Sequence, residues 1–170
     1  MKPSQNIIIK QHFLLLLSGL TALSIASCAQ PKPQERLLSE KKCPKCDLQG
    51  MDLSQAQLEK AELNNANLSG ANLTGANLNG GLLDSANLQS ADLSGANLSS
   101  AGMGMADLSQ ANLTNANLQN AYLRGANLTA ADLTGANLEN ADLSAAKLDQ
   151  AKLDGANLKG AILPDGQIQK

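Results

Sequence analysis

Leucine recurs at every fifth position through most of the chain. The series runs from Leu48 to Leu163 without an insertion, with Met103 in place of one leucine, and Ile168 closes it. Alanine precedes most of these leucines by two positions. A polar residue, usually Asn or Asp, lies between them, and two small or polar residues follow. A repeat this short determines the whole fold, so we interpret it before any other signal.

A period of five fits neither a helix nor a continuous strand. Five residues of an α-helix turn about 500°, so successive leucines would spread around the whole helix. In a continuous strand an odd period would send successive leucines to opposite faces. The pattern instead predicts short straight sides that each end in a bend. Ala and Leu then point inward, Asn or Asp points outward, and the last two residues of each unit turn the corner.

The units Ala71–Gly75 and Ala91–Gly95, which read ANLTG and ADLSG, resemble the pentapeptide-repeat family. The resemblance covers residues 46–165, which are 24 units of five, and Cys43–Gly50 also resembles the start of many such domains. It implies an all-β fold, a right-handed quadrilateral parallel β-helix with four repeats per coil. The repeat region, residues 46–170 with a short C-terminal tail, would then form about six coils, a rod on the order of 29 Å long.

Given 20 residues per coil, the outward positions fall into four columns. Three columns consist of Asn, Asp and Gln, and two of these end in Lys. The fourth column, which defines what we call the fourth face, reads Glu62, Leu82, Gly102, Tyr122, Asp142 and Ile162. Tyr and Arg are common in binding hot spots. We therefore predict an interaction patch on this face, for a protein partner or for self-association, formed by Leu82, Gly102, Met105, Tyr122, Arg124 and Ile162.

The first 27 residues have the pattern of an export signal. Lys2 and Lys10 precede the apolar run Phe13–Leu23, which is too short to be a permanent membrane span. The segment Ile25–Cys28 resembles the lipobox of bacterial lipoproteins, which implies that Cys28 carries a diacylglyceryl group and becomes the first mature residue. Plain secretion with cleavage after Ala29 is the alternative.

Residues 28–45 are predicted to form the anchor cysteine, a linker and an N-terminal cap. The Pro-rich stretch from Ala29 to Gln34 is typical of an extended spacer, and Leu37 and Leu38 lie in a short helix-compatible piece. Residues 29–45 contain five basic and two acidic residues, a net charge of +3. This charge suits either an anionic lipid surface or a solvated linker.

The composition argues against catalysis. The one histidine, His12, lies in the segment expected to be removed, and Phe13 and Tyr122 are the only aromatic residues. A mature chain without histidine lacks the commonest general base and the commonest metal ligand. We therefore expect no enzyme activity, no cofactor and no metal.

Cys43 and Cys46 form a C-x-x-C pair with several interpretations. A zinc site needs about four ligands, and the mature chain offers neither histidine nor a second cysteine pair. A redox site would need a βαβ context. A structural disulfide fits an exported protein, while a reduced Cys46 would also pack well at its inward position.

These expectations favour a non-catalytic rod that acts as a protein-binding scaffold. It would be exported and lipid-anchored on the periplasmic side of a bacterial membrane, or in the thylakoid lumen if the source is a cyanobacterium. The alternative is a DNA-mimicking inhibitor, because some members of the family resemble DNA and protect gyrase. Residues 46–170 have 13 acidic and 6 basic residues, a net charge of −7 that is spread over all faces. An exported chain would also not meet gyrase in the cytoplasm, so we expect no nucleic-acid partner.

Overall fold

Apart from one antiparallel bridge in the C-terminal tail, the β structure consists of single-residue parallel bridges, each joining a residue to the one 20 positions later. The computed structural model describes residues 32–170. Its bridges begin with Lys42 and Glu62 and continue at the same spacing to Asp142 and Ile162. Every outward residue therefore stacks on the outward residue of the preceding coil, which is the register that the five-residue period predicts for a four-sided coil.

Each side of a coil is held to the next coil by three backbone hydrogen bonds, one of which runs from the Gly70 N–H to the Gln89 carbonyl at 2.9 Å. The Leu68 N–H donates to the Asn87 carbonyl at 2.7 Å, and the Asn87 N–H donates to the Ala66 carbonyl at 2.9 Å. A further bond within the coil, from the Ala71 N–H to the Leu68 carbonyl at 3.0 Å, closes the corner. The last corner residue takes a left-handed conformation, as at Gly75 with φ of 62°, so the Gly, Asn and Ser common there are readily accommodated.

The core is a stack of leucine and alanine columns. All inward Leu positions from Leu48 to Leu143, with Met103 among them, are buried. Stacking leucine on leucine and alanine on alanine supplies the stability that the weak strand propensities of Ala, Asn and Asp do not.

The N-terminal end of the rod is covered by one helix, α1, Pro33–Glu40. Its Leu37 is buried, and the Gln34 side-chain amide donates to the Asp52 carbonyl at 3.0 Å. The coil register begins at Lys42, four residues before the first unit that the sequence pattern marks, and Cys43 occupies a buried leucine position. Within residues 32–170, no helix is long and apolar enough to cross a membrane.

The C-terminal tail turns back on the last coil. Gly166, with φ of 84°, allows the reversal, and Ile168 then forms an antiparallel bridge with Ile162. The tail covers the last coil only on the fourth face. The four inward leucines of this last coil, Leu148, Leu153, Leu158 and Leu163, are half-buried because no further coil packs on them.

Candidate interaction face

The structure stacks the predicted column of the fourth face as one continuous series, and Lys42 extends it by one coil. Consecutive bridges join Lys42, Glu62, Leu82, Gly102, Tyr122, Asp142 and Ile162. The side chains of Leu82 and Tyr122 are 44% and 62% exposed, and Met105, at the following corner, is 70% exposed. Three of the largest exposed apolar side chains therefore lie within three consecutive coils of one face.

The other three faces carry a network of polar hydrogen bonds. The Asn117 side-chain oxygen accepts a hydrogen bond from the Gln119 N–H at 3.2 Å, which stabilises the corner. The Asn117 amide donates to the Asn97 side-chain oxygen at 3.3 Å, which links adjacent coils. Both bonds recur along these three faces, so most of their outward positions are committed to Asn or Asp.

Two corners of the fourth face are satisfied differently, while the Ser144 N–H keeps the usual bond to the Asp142 carboxylate of its own coil, at 2.9 Å. The Asp84 N–H donates to the Asn64 side-chain oxygen at 3.1 Å, and the Gly104 N–H donates to an Asp84 carboxylate oxygen at 2.8 Å. These acceptors come from the corner of the preceding coil rather than from the outward residue of the same coil. The outward positions Leu82 and Gly102 are therefore released from the Asn or Asp requirement and can carry other side chains.

Two glycines form a notch in this face. Gly102 lies between Leu82 and Tyr122, and Gly104 lies at the next corner. A Cβ atom on Gly102 would have no neighbour closer than 3.7 Å, so the packing of the chain does not require glycine there. A Cβ atom on Gly104 would lie 3.0 Å from an Asp84 carboxylate oxygen, so a side chain there would have to displace the carboxylate that accepts from the Gly104 N–H.

Glu62 and Asp142, the acidic residues of this column, each have a basic residue of the same face acting on them. The Lys42 ammonium lies 2.9 Å from the Glu62 carboxylate. The Ser144 hydroxyl and backbone N–H, together with the positive charge of Arg124, lower the pKa of Asp142. Arg124 and Asp84 are both exposed at corners on either side of Gly104. The notch is therefore bordered by the apolar side chains of Leu82 and Tyr122 in the outward column. At the neighbouring corners it is bordered by the acidic Asp84 and the basic Arg124.

One predicted patch residue lies apart from the rest. Ile162 is half-buried because the C-terminal tail folds back beside it, with Ile168 as its bridge partner. The accessible patch is formed by the remaining five residues, which are Leu82, Gly102, Met105, Tyr122 and Arg124. The repeat pattern could not reveal this, because the tail lies beyond the last regular repeat.

The predicted cysteine sites fall in two different places. Cys43 and Cys46 are joined by a disulfide, with their Cα atoms 5.3 Å apart, beneath α1 at the start of the rod. Among residues 32–170 no group of His, Cys, Asp and Glu is arranged to hold a metal ion. Cys28 lies outside the described residues.

We expect acid to destabilise the protein through Asp132, which lies on the face opposite the fourth face. The Thr134 hydroxyl and N–H, followed by the Lys152 ammonium at 3.0 Å, lower the pKa of Asp132 to about 2. A lowered carboxyl pKa contributes stability that is present above about pH 4 and is lost as the pH falls towards 2. We expect Asp132→Asn, which keeps the corner acceptor, to show a smaller decrease in Tm between pH 5 and pH 2.5 than the unmodified chain.

Asp154→Asn is the matched control for this prediction. It makes the same charge change at an exposed corner, and the Asp154 side chain makes none of the hydrogen bonds found within residues 32–170. Equal acid sensitivity in the two variants would contradict a specific role for Asp132.

Comparisons with known proteins agree with this architecture. The family described as Pentapeptide repeats matches in eight copies that cover residues 45–80 and 82–165. Proteins of this family fold as right-handed quadrilateral β-helices. A search of curated protein sequences finds no match.

Several solved structures are similar to the chain. HetL, from the cyanobacterium Nostoc sp. strain PCC 7120, is 40% identical over 75% of this chain and 66% of its own, with a TM-score of 0.30. A pentapeptide repeat protein of the Arabidopsis thaliana thylakoid lumen is 30% identical over 76% of this chain and 70% of its own, with a TM-score of 0.38. QnrB1, a plasmid-mediated fluoroquinolone resistance protein, is 23% identical over 72% and 71%, with a TM-score of 0.62.

Proposed function

The chain belongs to the pentapeptide-repeat family, and from that premise we propose that it is a non-catalytic, protein-binding rod of about six coils. The fourth face is the binding surface. One observation carries this proposal: Leu82, Met105 and Tyr122 are exposed together around Gly102, where the other faces carry hydrogen-bonded Asn and Asp. A cluster of exposed apolar side chains with a polar border is typical of a protein interaction site.

The positions and hydrogen bonds of the polar side chains support a non-catalytic role. The Ser, Thr and Asp residues that could act as nucleophiles or bases lie at outward and corner positions. Many of them are engaged in the corner hydrogen bonds, such as that from the Thr74 hydroxyl to the Asn72 side-chain oxygen at 2.7 Å. Catalytic groups need a site that surrounds a substrate, and the regular outward faces of the coils offer none.

We further propose that the rod is held at a membrane after export. The support is the sequence of the first 28 residues, in which an apolar run is followed by the lipobox-like Ile25–Cys28. Diacylation supplies two acyl chains, and two chains give stable anchoring where one is marginal. The resulting location is the periplasmic side of a bacterial membrane, or a thylakoid lumen in a cyanobacterium.

DNA mimicry is the less favoured function. The likeness to QnrB1, at 23% identity, concerns the fold alone. The acidic side chains are not confined to one surface. Within one column they are also spaced apart: Asp52, Asp92 and Asp132 are two coil steps from one another, and Asn72 and Asn112 lie between them. Asp132 is additionally paired with Lys152. This distribution dilutes the negative charge that a DNA mimic must concentrate.

The double substitution Leu82→Asn and Tyr122→Asn tests the fourth face. Neither side chain contributes to the inner columns, so we expect the melting temperature of the protein to be nearly unchanged. Cross-linking in cells from a photoreactive residue at position 85, beside the patch, should lose the products formed by the unmodified chain. Leu38→Asn is the control, because Leu38 is 49% exposed but belongs to α1. Identical cross-linking by the double variant would contradict the proposal.

A further inference from the structure

We propose that the fourth face binds a second copy of this chain, antiparallel, around a two-fold axis at Gly102. This inference rests on the proposed function, since it requires the fourth face to be an interface, and it identifies the partner. The support is that the residues on either side of Gly102 are complementary to one another.

The patch has two parallel lanes that run along the rod. The first lane contains the outward residues Leu82, Gly102 and Tyr122. The second contains the first corner residues Asp84, Gly104 and Arg124, each two positions later in the chain. Each step along a lane is one coil, or about 4.8 Å. Leu82 and Tyr122 therefore lie at equal distances on either side of Gly102, as Asp84 and Arg124 do on either side of Gly104.

The two-fold axis lies between the two facing surfaces and is perpendicular to the long axis of the rod. Rotation about it reverses the order of the coils in the second copy, and each lane still faces the same lane. Leu82 then packs against Tyr122 of the second copy, and Asp84 faces Arg124 of the second copy. Each contact occurs twice, as an isologous interface requires.

The glycines permit the close approach that such packing needs. Gly102 and Gly104 face the same glycines of the second copy, so no side chains separate the two backbones at the axis. Gly102 in particular has space for a side chain in its own chain, so an interface accounts for its small size better than internal packing does. Met105, long and flexible, lies beside the axis and can fill the remaining space.

The antiparallel orientation is favoured by charge. In a parallel pair of rods, each coil would lie beside the same coil of the second copy. Asp84 would then lie near Asp84 of the second copy, and Arg124 near Arg124 of the second copy. In the antiparallel pair the one like-charged contact is Glu62 with Asp142 of the second copy. Glu62 has its own counter-charge in Lys42 at 2.9 Å, and the positive charge of Arg124 also acts on Asp142.

The interface is small, and we expect a weak dimer. The patch spans three coils of one face, which is less than the roughly 800 Å² per partner of a standard protein–protein interface. Sedimentation of the full-length chain in a mild detergent, over concentrations from about 10 to 500 μM, should therefore show a monomer–dimer equilibrium.

Charge exchange tests the predicted pairing. Asp84→Arg places two arginines opposite each other at both symmetric contacts, and Arg124→Asp places two aspartates there. We expect either variant alone to dimerise at least about tenfold more weakly. The variant with both changes should dimerise like the unmodified chain. An equimolar mixture of the two single variants should also recover dimers, because each Arg then faces an Asp.

The outcomes separate this inference from the proposed function. If the unmodified chain stays monomeric throughout, or the mixture and the double variant show no recovery, the second copy is not the partner. The cross-linking comparison with the Leu82 and Tyr122 variant still decides whether the face binds another protein. Asp84→Arg also removes the acceptor for the Gly104 N–H. Arg124→Asp leaves that bond intact, so its weakened dimerisation cannot be ascribed to a damaged corner.

Discussion

Replacing Leu118 with alanine should lower the free energy of unfolding by about 3 kcal/mol. Leu118 is completely buried in the middle of a leucine column. The substitution removes apolar atoms from the core and leaves a cavity that the surrounding coils fill poorly, because the backbone hydrogen bonds between coils hold them at a constant spacing. Urea unfolding followed by circular dichroism measures the effect.

Leu82→Ala is the matched control, because it deletes the same atoms from an exposed position. We expect it to cost less than about 1 kcal/mol, measured at a concentration low enough to keep the chain monomeric. Similar losses in the two variants would contradict the assignment of inward and outward leucines.

Cys28→Ser should abolish lipid attachment and leave the unprocessed precursor in the cell. If the lipobox-like segment is a lipidation site, serine cannot accept the diacylglyceryl group through a thioether, and processing that depends on this group stops. Labelling with a radioactive or clickable fatty acid, together with the electrophoretic mobility of the chain, reports both steps.

Ser27→Ala is the control for this variant, because it keeps a small residue beside an unchanged cysteine. Lipid labelling of Ser27→Ala should match that of the unmodified chain. Normal maturation of Cys28→Ser to a soluble, exported form would instead support plain secretion with cleavage after Ala29.

The column arrangement could be predicted because the chain repeats without insertion. Once the resemblance supplied four repeats per coil, counting in steps of 20 placed Leu82, Gly102 and Tyr122 on one face, and the bridges place them there. The inward alanines and leucines followed from the same count. Periodicity was sufficient because every coil makes the same contacts with its neighbours.

The ends of the rod could not be predicted in this way, because they are where the repeat stops. Lys42 and Cys43 take the outward and leucine positions of a coil although their neighbours lack the repeat pattern. The tail turns back in the antiparallel direction at Gly166, and the repeat pattern does not predict this turn. The bond from Gly104 to Asp84 depends on a side-chain conformation between coils, which spacing alone does not define.

The constant 20-residue register also determines how such a chain can change length during evolution. Loss of one unit, such as Ala86–Ser90, would keep every later alanine and leucine pointing inward, so the core would survive. It would nevertheless turn all later residues by one side of the coil, and Gly102 and Tyr122 would leave the column of Leu82. Single-unit insertions and deletions can therefore rearrange a surface while the fold persists, whereas changes of four units lengthen or shorten the rod and keep its faces aligned.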